Sequence, residues 1–184
     1  ILLRAFGVPE DGVLGVALAV AAQGKMSDEL KAKVIVAGLQ YETSLPSLVD
    51  ALGQTRSHEA APILIHQLSQ EENLAARLTL LLALEKTNSK EARQTLLQLL
   101  KEESDSLVVE HLIAIAGRMK LADAAGVLID LADDVTAPAK LRSEALWALS
   151  EFDNDRVKDF LSDYEGEVEE NESKVRALHL LNNM

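Results

Sequence analysis

The residues to test first for chemistry are four histidines and a handful of carboxylate runs. His58 opens the run HEAAP, close to the HExxH pair that holds zinc on one face of a helix. Its second ligand position is Pro62, which has no metal-binding group, so the pair fails. His66, His111 and His179 have no carboxylate at ligand spacing and read as solvent-facing or capping residues. Asp153-Asn154-Asp155 begins like a calcium loop but lacks its sixth-position Gly and closing Glu, so Asn154 serves better as a turn residue. GxSxG, GxGxxG and GxxxxGK[ST] are all missing, and with no Cys there is no thiolate, disulfide or Cys-bound zinc. The expectation is a chain that is not an enzyme, with no catalytic residue, metal or cofactor.

Charge narrows the partners. The 184 residues carry 30 acidic and 18 basic side chains, a net charge of −12. Binding a phosphate backbone is driven by Lys and Arg that neutralise phosphates and release counterions, so the mean field here repels nucleic acid and anionic lipid. The stretch Asp163–Glu172 (DYEGEVEENE) is suited to cations or a basic partner. Its simpler role is to link two helices and set Glu169, Glu170 and Glu172 near a helix N-terminus, where the macrodipole favours negative charge. The apolar run Val13–Ala22 is too short to span a bilayer, so no membrane insertion is expected. The absence of Cys fits a reducing compartment, and a cysteine-free exported protein equally.

The elements that must position any site are helical. Apolar residues make up 48% of the chain but aromatics only 3%, which leaves Leu, Ala, Val and Ile. With Glu, Lys and Gln, the Leu and Ala are the residues that cost least in a helix. The chain also repeats itself. Blocks 58–89, 90–121, 122–154 and 155–184 each hold two apolar-periodic segments around a short polar break. In the second segment Leu45, Arg77, Val109, Arg142 and Lys174 recur at spacings of 32, 32, 33 and 32. Three and seven residues beyond them come Leu48/Leu52, Leu80/Leu84, Leu112/Ala116, Ala145/Leu149 and Ala177/Leu181, one face of a helix. The pattern predicts helices near 11–23, 27–40, 44–55, 58–70, 72–87, 89–102, 104–118, 122–132, 136–151, 154–163 and 172–183. Asn88-Ser89, Asn154 and Gly166 read as turns or caps, and Ser57 and Ser104 as N-caps.

Such hairpins resemble HEAT repeats, most closely the short bacterial type of phycobilisome lyases, in LVDALGQTRSHEAAPILIHQL (48–68) and LRSEALWALSEFDNDRVKDFL (141–161). The resemblance runs from about Val13 to the C-terminus. It implies one all-α domain over 1–184, a right-handed α-solenoid of tandem antiparallel hairpins, with about five repeats plus a partial N-terminal one. Ile1–Phe6 (ILLRAF) then reads as the tail of an earlier helix, and the chain either as a piece of a longer array or as one with an atypical N-terminal cap. The resemblance further implies that Arg77 and Arg142 form a ladder with acidic residues of a neighbouring repeat, with Lys174 as a substitute, and that the second helices line a concave surface.

Trp147 lies about 140° from the centre of the apolar face of its helix, at 100° per residue. Its register gives the row Asp50, Leu82, Ala114, Trp147 and His179. Flanking rows are Ser47, Thr79, His111, Glu144 and Arg176 on one side and Gln54, Lys86, Arg118, Glu151 and Asn183 on the other. The candidate partner-binding groove is therefore Asp50, Leu82, Lys86, His111, Arg118, Glu144, Trp147, Glu151, Arg176 and His179, with Trp147 and Arg118 as its sharpest members. Packing of Trp147 against the next hairpin is the alternative. The function expected is a non-catalytic scaffold for a protein or peptide partner, basic or amphipathic. A bilin lyase-like or chaperone-like accessory protein is the second choice and a HEAT-like DNA glycosylase the third.

Overall fold

A computed structural model describes residues 60–121, 123–165 and 168–181. Eight α-helices and no strand occur among them: α1 Ala60–Gln70, α2 Leu74–Thr87, α3 Lys90–Glu102, α4 Ser106–Arg118, α5 Ala124–Asp133, α6 Ala139–Leu149, α7 Asp155–Asp163 and α8 Val168–Leu181. The helices expected before Ala60, with the Ser57 cap and His58, lie outside the described residues.

Boundaries follow side-chain caps. Asn73 opens α2 by accepting from the Ala76 amide (3.1 Å), and Asn88 closes it in the left-handed region at φ 47. Ser89 caps α3 through the Ala92 amide (3.1 Å), and Asn154 caps α7 through Val157 (3.0 Å). The cap of α4 is Asp105 and not Ser104, because its carboxylate accepts from both Leu107 (2.9 Å) and Val108 (3.1 Å). α6 is shorter than expected, since Asp134 holds Thr136 in a local turn and Pro138 stands at the N-cap. α8 begins at Val168, inside the stretch expected to be a linker. Glutamate is a good helix former and is favoured in a first turn, so the acidic run supports the helix. The end of α4 is a Schellman turn, with Leu121 N–H donating to Ala116 O (3.1 Å) and Lys120 N–H to Gly117 O (2.9 Å). It places Lys120 at φ 48, where glycine is the usual occupant.

The chain divides into two compact units, Ile1–Arg93 and Gln94–Met184. In the first, α1 packs on α2 through Ala60, Ala61, Leu64 and Leu68 on one side and Leu80, Leu81 and Leu84 on the other. In the second, α6 is central and packs against α4, α5 and α8, while α7 packs on α8. The second helices α4, α6 and α8 thus lie side by side, and α5 and α7 meet more sparsely. This packing is consistent with an α-solenoid. The recurring apolar positions are interior in each unit: Leu80 and Leu84 are buried in the first, and Leu112, Ala116, Ala145, Leu149, Ala177 and Leu181 in the second. α4 and α6 approach closely at Gly117, where an added Cβ would meet the Cβ of Ala148 at 3.3 Å. Small residues there set the spacing between second helices.

Candidate functional site

The candidate site stands on the solvent side of the second helices. α6 buries Leu141, Arg142, Ala145, Leu146, Ala148 and Leu149. Trp147 interrupts that run and is 44% exposed, so a large part of its surface faces water. Glu144, three residues back, shares its face and is half-buried, while Glu151 lies in the turn just past the end of α6 and is exposed. The Trp147 carbonyl is held by the Ser150 hydroxyl (2.7 Å) and amide (3.1 Å), which fixes the last turn beneath the indole.

On α4, Ala114 and His111 are half-buried and Arg118 is exposed. The His111 ring nitrogen Nδ1 lies 2.8 Å from Leu107 O, a local contact within its own helix. On α8, Arg176, His179 and Leu180 are exposed. Two ion pairs tie the charges of this face together: Lys140 Nζ lies 2.6 Å from Glu110 and Lys120 Nζ 3.9 Å from Glu151. The bond to Glu110 holds the Lys140 ammonium above its ordinary pKa. In the first unit Leu82 and Lys86 are exposed one turn apart on α2, with Thr79 half-buried on the same helix. Asp50, Ser47, Gln54 and Asn183 lie outside the described residues.

On the opposite side of α6, Arg142 makes the bond to an acidic residue of the neighbouring repeat that the resemblance implies, and Tyr164 joins it as a member the sequence pattern misses. Arg142 Nε and Nη2 donate to Glu170 Oε1 at 2.9 and 2.5 Å, joining the α5–α6 hairpin to α8. Nη1 donates to Ala137 O (2.6 Å) and Val135 O (3.3 Å), so the same guanidinium closes the loop before α6. The Tyr164 hydroxyl lies 3.1 Å from Ala132 O and 3.2 Å from Glu170 Oε2, and its one proton is shared between these acceptors. Glu170, Tyr164 and Arg142 are 2%, 8% and 9% exposed. Burial raises the Tyr164 pKa above its ordinary 10.0, and the Glu170 carboxylate adds to the rise. Lys174, at the register position of Arg142, likewise donates to a carbonyl, that of Tyr164. The cluster links hairpins and is closed to solvent, so it helps to hold the surface above it in place. Arg142 was legible from its recurrence with Arg77. Glu170 carried no signal inside an acidic run that composition reads as solvated.

No group of His, Asp and Glu able to hold a metal ion occurs among the described residues, and none of their helices is long and apolar enough to cross a membrane. The family model for HEAT repeats matches residues 47–116, a stretch that ends within α4. No curated protein matches the chain at a significant level.

Proposed function

We propose that this chain is a non-catalytic scaffold that holds a protein partner on the face of its second helices, with Trp147 as the anchor. One observation carries the proposal: the chain's single tryptophan is 44% exposed in a helix whose adjacent residues on both sides are buried. Exposing a large aromatic to water costs free energy that a monomer recovers by turning it inward, and Trp is enriched where partners bind most tightly. HEAT repeats commonly serve as protein-interaction scaffolds, which fits the match over 47–116. Within the second unit, α4, α6 and α8 pack more closely than α5 and α7, which fits a stack of hairpins; the recurrence of the register position from Leu45 to Lys174 supports a reading of about five short repeats plus a partial one. The spacing near 32 residues also supports kinship with the short bacterial repeats.

The test is affinity capture from an extract of the host, with wild-type and Trp147→Ala baits run side by side and checked for equal helicity. Proteins retained by the wild type are expected to be lost from the variant. Identical retention by both baits sinks the proposal.

A further inference from the structure

The acidic run that opens α8 offers Arg142 more than one carboxylate. Glu167, Glu169, Glu170 and Glu172 fall within six residues. Glu170 is the one that pairs with Arg142 in the interior, while Glu172 stays exposed. Coulomb attraction separates such neighbours weakly, because both side chains are long and the energy falls only as the inverse of distance. The apolar inner face of α8 is also thin. Ala177 and Leu181 are its buried apolar side chains among the described residues, with Leu178 half-buried. Two such anchors, one of them an alanine, leave the rotation and register of a helix loosely specified.

Tyr164 supplies what these lack. It follows the end of α7, where its amide donates to Phe160 O (2.9 Å) and its ring meets that of Phe160 with centroids 5.5 Å apart. A ring with two rotatable bonds, held at its base and along its side, carries its hydroxyl to one place. That place is 3.1 Å from Ala132 O, near the end of α5, and 3.2 Å from Glu170 Oε2. Arg142 takes the other oxygen, Oε1. The two oxygens of one carboxylate thus answer to two different groups, which fixes the direction of Glu170 as well as its position. One turn further along, Lys174 Nζ donates to the carbonyl of Tyr164 itself. α8 is therefore gripped at Glu170 and Lys174, on one side of the helix, by the hydroxyl and the carbonyl of the same tyrosine.

We infer that Tyr164 selects Glu170 from the glutamates beside it and so locks α8 in a single register on α6, a conformational role separate from the stability that the Arg142 pair contributes. A buried polar set that is satisfied in one arrangement rules out the others, since each of them strands a charge or a carbonyl. The lock decides where the exposed Arg176, His179 and Leu180 stand relative to α6, whether or not Trp147 anchors a partner.

The experiment is amide NMR with hydrogen exchange on the wild type, Tyr164→Phe and Lys174→Met. Tyr164→Phe keeps the ring beside Phe160 and removes the hydroxyl. It is expected to stay folded, with α8 amides giving doubled or broadened signals and exchanging about tenfold faster or more, while those of α5 and α6 change less than about twofold. Lys174→Met leaves the hydroxyl in place and is expected to loosen α8 by a smaller factor, about threefold. A single sharp set of α8 signals with wild-type exchange in Tyr164→Phe overturns the inference. So does faster exchange spread evenly over α5, α6 and α8, which a plain loss of stability gives, and so does an unfolded Tyr164→Phe. An effect of Lys174→Met larger than that of Tyr164→Phe passes the selection to the lysine and overturns it as well.

Discussion

Arg142 and Trp147 are five residues apart on α6, and each occupies the place the other's chemistry would predict. The guanidinium is buried and the indole stands in water. Both depart from the rule that helices turn apolar residues inward, and the difference between them is in what each finds. Arg142 has a carboxylate and two carbonyls within hydrogen-bond reach, so its burial is compensated inside the chain. Trp147 has no such internal compensation for the area it leaves exposed, and a partner would supply it. One departure from the pattern serves the fold, and the other is available for function.

The comparison breaks most visibly at Arg142. Arg142→Ala leaves Glu170 buried and strips Val135 O and Ala137 O of their donor, a loss of about 3–5 kcal/mol for a broken buried pair. Arg142→Met with Glu170→Leu is expected to recover most of that, since an apolar pair of similar volume needs no counter-charge. Denaturant unfolding of the three proteins decides it. A single variant as stable as wild type would make the pair incidental.

That side of α6 was half legible. The recurrence of Leu80/Leu84, Leu112/Ala116, Ala145/Leu149 and Ala177/Leu181 exposes the core because burial repeats with the fold's own period. Arg142 showed through its register with Arg77, but its partner did not. A run such as EVEENE looks uniform to composition, and only the early start of α8 turns Glu170 inward while Glu172 stays exposed. Cap identities slipped by a residue for a similar reason. Ser104 and Asp105 are both good caps in sequence, and which carboxylate or hydroxyl reaches two amides is a matter of geometry. The exposure of Trp147 was only half decided by its angle, since an off-axis residue in a stacked array can still meet the next hairpin.

A smaller effect sharpens the same side through pH. The Tyr164 pKa is raised in the folded state, so its stabilising contribution is complete below the ordinary 10.0 and is lost as pH rises through the higher folded value. A tyrosinate would face the Glu170 carboxylate at 3.2 Å and leave Ala132 O without a proton donor. Stability is therefore expected to fall more steeply above pH 10 in the wild type than in Tyr164→Phe, which itself costs about 1 kcal/mol at neutral pH for the missing hydrogen bond. Tyrosinate absorbance of the wild type less that of Tyr164→Phe isolates Tyr164, which is expected to titrate above the ordinary 10.0. Parallel alkaline losses in both proteins would assign the effect to the lysines instead.

The smallest expected change is in the stability of Trp147→Ala. The substitution discards whatever contacts the covered part of the indole makes, but it replaces a middling helix former with the best one, worth about half a kcal/mol in return. With 44% of the residue already in solvent, the net loss is expected to be about 1 kcal/mol or less, a shift of a few degrees in Tm for a unit of this size. A loss equal to that of Arg142→Ala would put the indole in the core and erase the distinction between the two sides of α6. A small loss of stability accompanied by a large loss of partner capture is the pattern that only a binding residue produces, because a packing residue would lose both together.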